Sequence, residues 1–120
     1  MFAEVGRHIP FAVRRAFAIY DVAPGVERAS HAHRTNHQLI IMLSGGCTIV
    51  CDEGHRVATE RLDNPAQGLH VPPLVWITLK DFTPGAVCLV LASELYDAAE
   101  YIRDRAEFKE LSARPQREAQ

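Results

Sequence analysis

The sequence predicts an all-β domain, a barrel or sandwich of short strands closed by a short C-terminal helical segment. Three observations carry this. Short runs rich in Val, Ile, Leu and Phe recur along the chain, each bounded by Gly, Pro, Asn or Asp turn signals, the pattern of an antiparallel sandwich or barrel. His31 and His33 flank Ala32 inside one such run, so strand alternation turns both imidazoles to one face. The period changes only after Ser93, where Glu94 to Leu111 reads as helical.

A chain of 120 residues is one domain, large enough for a core without disulfide support. Residues 1–111 are assigned to that domain and 112–120 to a polar tail. Apolar residues make up 48% and charged residues 23%, ordinary proportions for a globular protein. A net charge of −2 gives no reason to expect nucleic acid. All but two of the thirteen basic residues are Arg, the exceptions being Lys80 and Lys109. Arginine suits bidentate grips on phosphate or carboxylate, although a GC-rich genome gives the same bias. The three cysteines, Cys47, Cys51 and Cys88, are an odd number. Cys47 and Cys51 lie roughly 13 Å apart at strand rise, too far to bridge. With no secretory leader, this places the protein in a reducing cytoplasm. No run approaches the ~20 apolar residues of a membrane span.

The elements follow in order. Residues 1–10 lead in, ending at Pro10. Phe11 to Asp21 reads as a strand whose inner face carries Phe11, Val13, Arg15, Phe17 and Ile19. Arg15 is the anomaly there, because a buried unpaired charge is costly. Its partner is either a ligand phosphate or an internal carboxylate. Ala23-Pro24-Gly25 is a turn, Val26 to His33 a strand, and His37 to Leu43 a strongly apolar strand ending at Ser44-Gly45-Gly46. Cys47–Cys51 and Arg56–Thr59 form a hairpin across Asp52-Glu53-Gly54-His55. Gly68–Val71, Val75–Asp81 and Ala86–Ala92 are further strands, with Thr83-Pro84-Gly85 turning between the last two. Ser93 is placed to cap the helical segment, with Tyr101, Ile102 and Phe108 facing the barrel.

Gly25, five residues, His31-x-His33, four residues, Gln38, six residues and Gly45 make a spacing that resembles the first signature of the cupin barrel, a double-stranded β-helix of the RmlC-like jelly-roll type. In metal-binding cupins that signature supplies two histidines and an acid, and a second, Pro-x-Gly-x-x-His, supplies another histidine. Here Gln38 replaces the acid. The second signature falls on Pro72 to Ile77, with Leu74 for the glycine and Ile77 for the histidine. Two histidines alone make a poor transition-metal site. His70 and His37 are the spare imidazoles, but strand alternation points His37 away from Gln38. The expectation is a site without metal or other cofactor.

Three longer strings sharpen the resemblance: IPFAVRRAFAIYDVAPGVERASHAHR from Ile9 to Arg34, LDNPAQGLHVPPLVW from Leu62 to Trp76, and LVLASELYDAAEYIRD from Leu89 to Asp104. Together they resemble the sugar 3,4-ketoisomerases that act on dTDP-4-keto-6-deoxyglucose, also described as the WxcM-like C-terminal domain. The resemblance implies a homodimeric, metal-independent isomerase that moves a ketone from C4 to C3 of a dTDP-linked 4-keto-6-deoxyhexose. It implies catalytic roles for His31 and His33 and matches its arginines to Arg15 and Arg28, which with Gln38, Tyr20 and Trp76 are the candidate substrate-binding residues.

The chemistry suits these residue types. The C4 ketone acidifies the C3 proton, whose removal gives an enediol. An imidazole titrates near neutrality and can serve as base, and a second group must stabilise the enediolate. Arginines neutralise diphosphate or enediolate charge. The apolar character of both faces of HQLIIML asks for a second sheet or a second subunit to cover it. The family commonly has histidine at Ile77, an aromatic at Ala18, glycine at Ala29 and tyrosine at His70. The alternative function is a non-catalytic cupin that binds a nucleotide sugar or partners a sugar-modifying enzyme. Whether His70 or Tyr20 fills the space of the absent imidazole discriminates the two. A 3,5-epimerase lacks a convincing His–Asp dyad here, and a metal-dependent dioxygenase lacks its ligands.

Overall fold

A computed structural model describes residues 3–113. Nine strands and one helix run in the order β1 (Arg15–Tyr20), β2 (Arg28–His33), β3 (Gln38–Ser44), β4 (Cys47–Asp52), β5 (Val57–Leu62), β6 (Gly68–Val71), β7 (Trp76–Lys80), β8 (Val87–Ala92), β9 (Tyr101–Ile102) and α1 (Arg105–Ala113). They form two antiparallel sheets, β1-β8-β3-β6 and β5-β4-β7-β2-β9. Sequence neighbours β1 and β2 lie in different sheets, as do β2 and β3, so the chain winds between the layers as in a double-stranded β-helix. The predicted fold class is the one observed.

Alternation builds the core between the sheets. Ile40 and Met42 of β3 meet Ile49 of β4, Ile77 and Leu79 of β7, and Val90 of β8. The opposite face of β3 carries Leu39 and Ile41. These are covered by the chain's own Ile9, with Phe11, Val13 and Leu91 packed alongside. The apolar outer face of HQLIIML is therefore covered from within the subunit over these residues.

This packing corrects the reading of the first strand. Pairing with β8 begins at Arg15, so Phe11 and Val13 pack in the outer cluster while Phe17 and Ile19 pack against the inner core. The second strand likewise starts at Arg28 rather than Val26, and β5 extends to Leu62.

The largest correction concerns the predicted helix from Glu94 to Leu111. Glu94 to Asp97 is not helical, Ala98–Glu100 is a single 3₁₀ turn, and Tyr101–Ile102 adds an edge strand to β2. Helix α1 spans only Arg105–Ala113. Asp104, not Ser93, accepts from the Ala106 N–H at the helix start, and Asp97 accepts from Ala99 N–H at the 3₁₀ turn. Tertiary hydrogen bonds to the edge of β2 outweigh weak local helix propensity. Ile102 and Phe108 are buried as expected, forming a small cluster with Ala32 and Trp76. The helix includes Ser112 and Ala113, the first two residues of the tail expected over 112–120; residues 114–120 of that tail lie outside the described residues.

The helix is tied down at the β4–β5 turn. Asp52 accepts from the Gly54 N–H at 2.7 Å and pairs with Arg105 at 2.8 Å. Gly54 has φ +97, and a Cβ there would lie 2.8 Å from the Cβ of Ser112. The position thus needs glycine both for the turn and for the approach of α1.

Candidate active site

The histidine pair sits on β2 at an irregularity. Ala29 and Ser30 have φ of 72 and 55, and the register with β7 slips between Ala29 and His31. This bulge turns the Ala29 carbonyl to His31 Nδ1 at 3.1 Å. The His31 and His33 rings meet edge-on with centroids 4.9 Å apart, on the same side as alternation requires.

A cleft of about 200 Å³ lies beside them, lined among others by Phe17, Arg28, His31, Gln38, Ile77 and Tyr101. Four buried polar atoms here find no hydrogen-bond partner among the described residues: His31 Nε2, His33 Nε2, Gln38 Oε1 and Arg15 Nε. Unsatisfied buried polar atoms are rare, and four in one neighbourhood mark a place built to meet a polar ligand.

Tyr101 is the residue that sequence reasoning placed only in the core. Its ring lies 4.8 Å from His31 and 4.4 Å from His33. Arg15 donates to its hydroxyl at 3.3 Å, and the Arg103 guanidinium lies 4.4 Å from its ring centre. Tyr101 lies on an edge strand where the sequence predicts helix, and local pattern does not show its neighbours; the signal available in the sequence is its membership of the LVLASELYDAAEYIRD string.

Arg15 makes no salt bridge among the described residues. Its guanidinium instead lies 5.4 Å from the Phe17 ring and 5.6 Å from the Tyr96 ring, geometry suited to cation–π contact. Of the two partners open to it in the sequence, an internal carboxylate is not the one found.

The other expected residues divide. Arg28 and Gln38 line the cleft. Trp76 does not: alternation along β7 sends Ile77 inward and Trp76 to the opposite side, against Phe108 and under Arg105. Tyr20 is 61% exposed and is not part of the cleft lining. Ile77 pairs with His31 across β2 and β7, which puts it at the site but adds no polar atom there. Neither His70 nor Tyr20 fills the place of the absent imidazole. His70 stacks on His37 on the outer face, Nε2 to Nδ1 at 3.0 Å, with Phe11 nearby.

Electrostatics keep both site imidazoles neutral. Burial lowers the pKa of His31, helped by the charges of Arg103 and Arg15 and opposed by the Ala29 carbonyl. Burial and the neighbouring His31 lower His33 to about 4, against the pull of Glu100. Glu100 is itself held below the usual carboxylate range; burial raises it, but the Thr35 and Asn36 N–H groups, the Thr35 hydroxyl and His33 outweigh that.

Cupins commonly hold a metal at this place. Here the donors are the His31 imidazole and the Gln38 carboxamide in the cleft lining and the His33 imidazole beside His31, with Ile77 where a further imidazole would stand. No group of three His, Cys, Asp or Glu side chains in ligand geometry occurs among the described residues. The donor set does not fit a resident catalytic metal.

Fold and site together define a class: a small double-stranded β-helix with two neutral imidazoles beside a cleft edged by arginine. The chain belongs to the FdtA family, the WxcM-like C-terminal domain, which matches residues 1–113. It is 38% identical over 111 residues to the TDP-4-oxo-6-deoxy-α-D-glucose 3,4-oxoisomerase of Aneurinibacillus thermoaerophilus, a match covering 92% of this chain and 80% of that one. The crystal structure of a 3,4-ketoisomerase from Helicobacter canadensis superposes with a TM-score of 0.89 at 38% identity, covering 92% of this chain and 84% of the other. That of QdtA, a sugar 3,4-ketoisomerase from Thermoanaerobacterium thermosaccharolyticum in complex with TDP, gives 0.89 at 36% identity, covering 92% and 80%. All three of these relatives are 3,4-keto- or oxoisomerases, one acting on TDP-4-oxo-6-deoxy-α-D-glucose and one solved in complex with TDP.

Proposed function

We propose that this protein is a sugar 3,4-ketoisomerase that moves the carbonyl of a TDP-linked 4-keto-6-deoxyhexose from C4 to C3 through an enediol, with His31 and His33 handling the protons. The observation that carries this is the cluster of partnerless buried polar atoms on His31, His33, Gln38 and Arg15, in a chain whose relatives catalyse that reaction. The cleft volume suits a hexose ring, leaving the nucleotide to extend from its open mouth. Arg15 and Arg28 are assigned to diphosphate or enediolate charge. The two imidazoles are assigned to removal of the C3 proton and to the oxygen at C4. No carboxylate is hydrogen-bonded to either imidazole among the described residues, which disfavours a His–Asp epimerase mechanism.

The family resemblance implies a homodimer, and size-exclusion chromatography with light scattering tests it. No helix among the described residues is long and apolar enough to cross a membrane; a cytoplasmic setting is part of the proposal.

The test is proton NMR of the purified protein with TDP-4-keto-6-deoxyglucose in D2O. Loss of the C3 proton signal with growth of a 3-keto species is the expected result. Exchange at C3 without product assigns a working base and a failed return to C4, the step at which Ile77 differs from the family. Binding without exchange makes the protein a nucleotide-sugar binding cupin instead.

A further inference from the structure

Asn36 follows β2 and is 1% exposed. Its side-chain orientation is dictated by its surroundings. Oδ1 accepts from the Ser93 and Glu94 backbone N–H groups, each at 3.1 Å, and from the Ser93 hydroxyl at 3.2 Å. Two of those donors are backbone and cannot reverse, so the amide cannot be flipped. The NH₂ end therefore faces His33 Nδ1, at 3.4 Å. A proton on Nδ1 would meet the amide hydrogens head-on, so Nδ1 must offer its lone pair and the ring proton sits on Nε2. At His31 the logic reverses. The Ala29 carbonyl at 3.1 Å can only accept, so Nδ1 carries the proton and Nε2 is left with the lone pair.

We propose that Asn36 and the Ala29 carbonyl hold the paired imidazoles in opposite tautomers, so that His31 is the base of the reaction and His33 the hydrogen-bond donor. Asn36 is a positioning residue, acting through His33. His31 Nε2 and His33 Nε2, the ring nitrogens these contacts leave over, are both buried and without a hydrogen-bond partner among the described residues. The lowered pKa values keep the pair neutral near pH 7, the state in which the tautomers differ.

The chemical step rests on the isomerase reading. His31 Nε2 takes the proton from C3 and becomes an imidazolium. The electrons of the C3–H bond form the C3–C4 double bond, and the carbonyl electrons move to the C4 oxygen. The His33 Nε2–H passes its proton to that oxygen and recovers one from the hydroxyl at C3. The double-bond electrons then take the proton from His31 at C4, and the carbonyl stands at C3. Both imidazoles return to their starting tautomers, and no outside acid, base or oxidant is used. Neutral imidazole as the electrophile is known chemistry in other isomerases.

The groups facing His33 are His31 on β2, Arg15 on β1, Tyr101 and Arg103 at β9, and Glu100 in the 3₁₀ turn. Long-range proton–nitrogen NMR of the ¹⁵N-labelled full chain near neutral pH, without ligand, reads the tautomers directly. His31 protonated on Nδ1 and His33 on Nε2 is the expected result. Both rings in one tautomer, either ring reversed, or either ring charged would overturn the proposal. Asn36→Asp is the second arm. One carboxylate oxygen keeps the Ser93 and Glu94 hydrogen bonds, while the other sets an acceptor against Nδ1. His33 is then expected to switch to the Nδ1 proton and to titrate higher. kcat is expected to fall roughly 100-fold, the scale of a lost acid–base function, with KM unchanged. A purely structural Asn36 predicts unchanged kcat and an unmoved pH profile. Opposite tautomers in a protein with no turnover of TDP-4-keto-6-deoxyglucose would uphold the tautomer assignment and overturn the isomerase reading.

Discussion

Arg15 and Tyr101, 86 positions apart in the chain, meet at 3.3 Å, guanidinium to hydroxyl, with the Tyr101 ring laid against both His31 and His33. The contact joins the four-stranded sheet, through β1, to the added edge strand of the five-stranded sheet. It also holds a positive charge beside the imidazoles without a carboxylate to neutralise it.

That free charge is predicted to bind substrate. Arg15→Ala should weaken binding of the nucleotide sugar roughly 10- to 100-fold, the equivalent of one charge-assisted hydrogen bond. The fold should survive, since no ion pair is broken. Isothermal titration with TDP alongside thermal melting separates the two effects; a drop in melting temperature with unchanged affinity would make Arg15 a structural residue.

His33 gives a pH prediction. Its folded pKa, about 4, lies below its ordinary value, so the unfolded chain binds the proton more readily. Its contribution to stability is complete above the unfolded pKa of about 6.5. That contribution falls as pH drops from there toward 4. His33→Asn should remove this slope from the stability–pH curve measured by urea titration, and should abolish turnover with the fold intact. Near-normal turnover would take His33 out of the mechanism.

Ala29 and Leu74 stand where the related signatures carry glycine, and both have positive φ, 72 and 62. Left-handed backbone costs a non-glycine residue about 1 kcal/mol. Ala29→Gly should therefore raise unfolding free energy by up to about 1 kcal/mol. Leu74→Gly should gain less or lose, because the Leu74 side chain packs on the cluster of Ala32, Trp76, Ile102 and Phe108. Paired denaturant melts of the two variants check the contrast.

Asp52 anchors α1 to the β4–β5 turn. Burial alone would raise its pKa, but the Gly54 N–H and Arg105 hold it below the usual carboxylate range. The stabilisation is present above the unfolded pKa and is lost as pH falls through the lowered folded value. Asp52→Ala should cost about 1–2 kcal/mol near neutrality and nothing in strong acid. Equal losses at both pH values would mean that packing, not the charge, is what the carboxyl contributes.

Period-2 alternation and turn residues were enough to place eight strands and the shared face of His31 and His33, because those features are local. The absence of cupin metal ligands was likewise readable from Gln38 and Ile77. Tertiary structure decided what depends on distant partners. Edge pairing to β2 turned the expected helix at Tyr101 and Ile102 into a strand. Burial of Phe108 and Trp76 together took Trp76 from the cleft. Asn36 lies in the short link between two predicted strands, and only its enclosure between Ser93, Glu94 and His33 gives its side chain a direction. A hydrogen-bond donor's orientation is set by neighbours far away in the chain, which sequence spacing does not record. Local pattern alone set eight of the strands, the shared face of His31 and His33 and the family resemblance. Which way the buried polar groups point was decided by the packing of one sheet on the other.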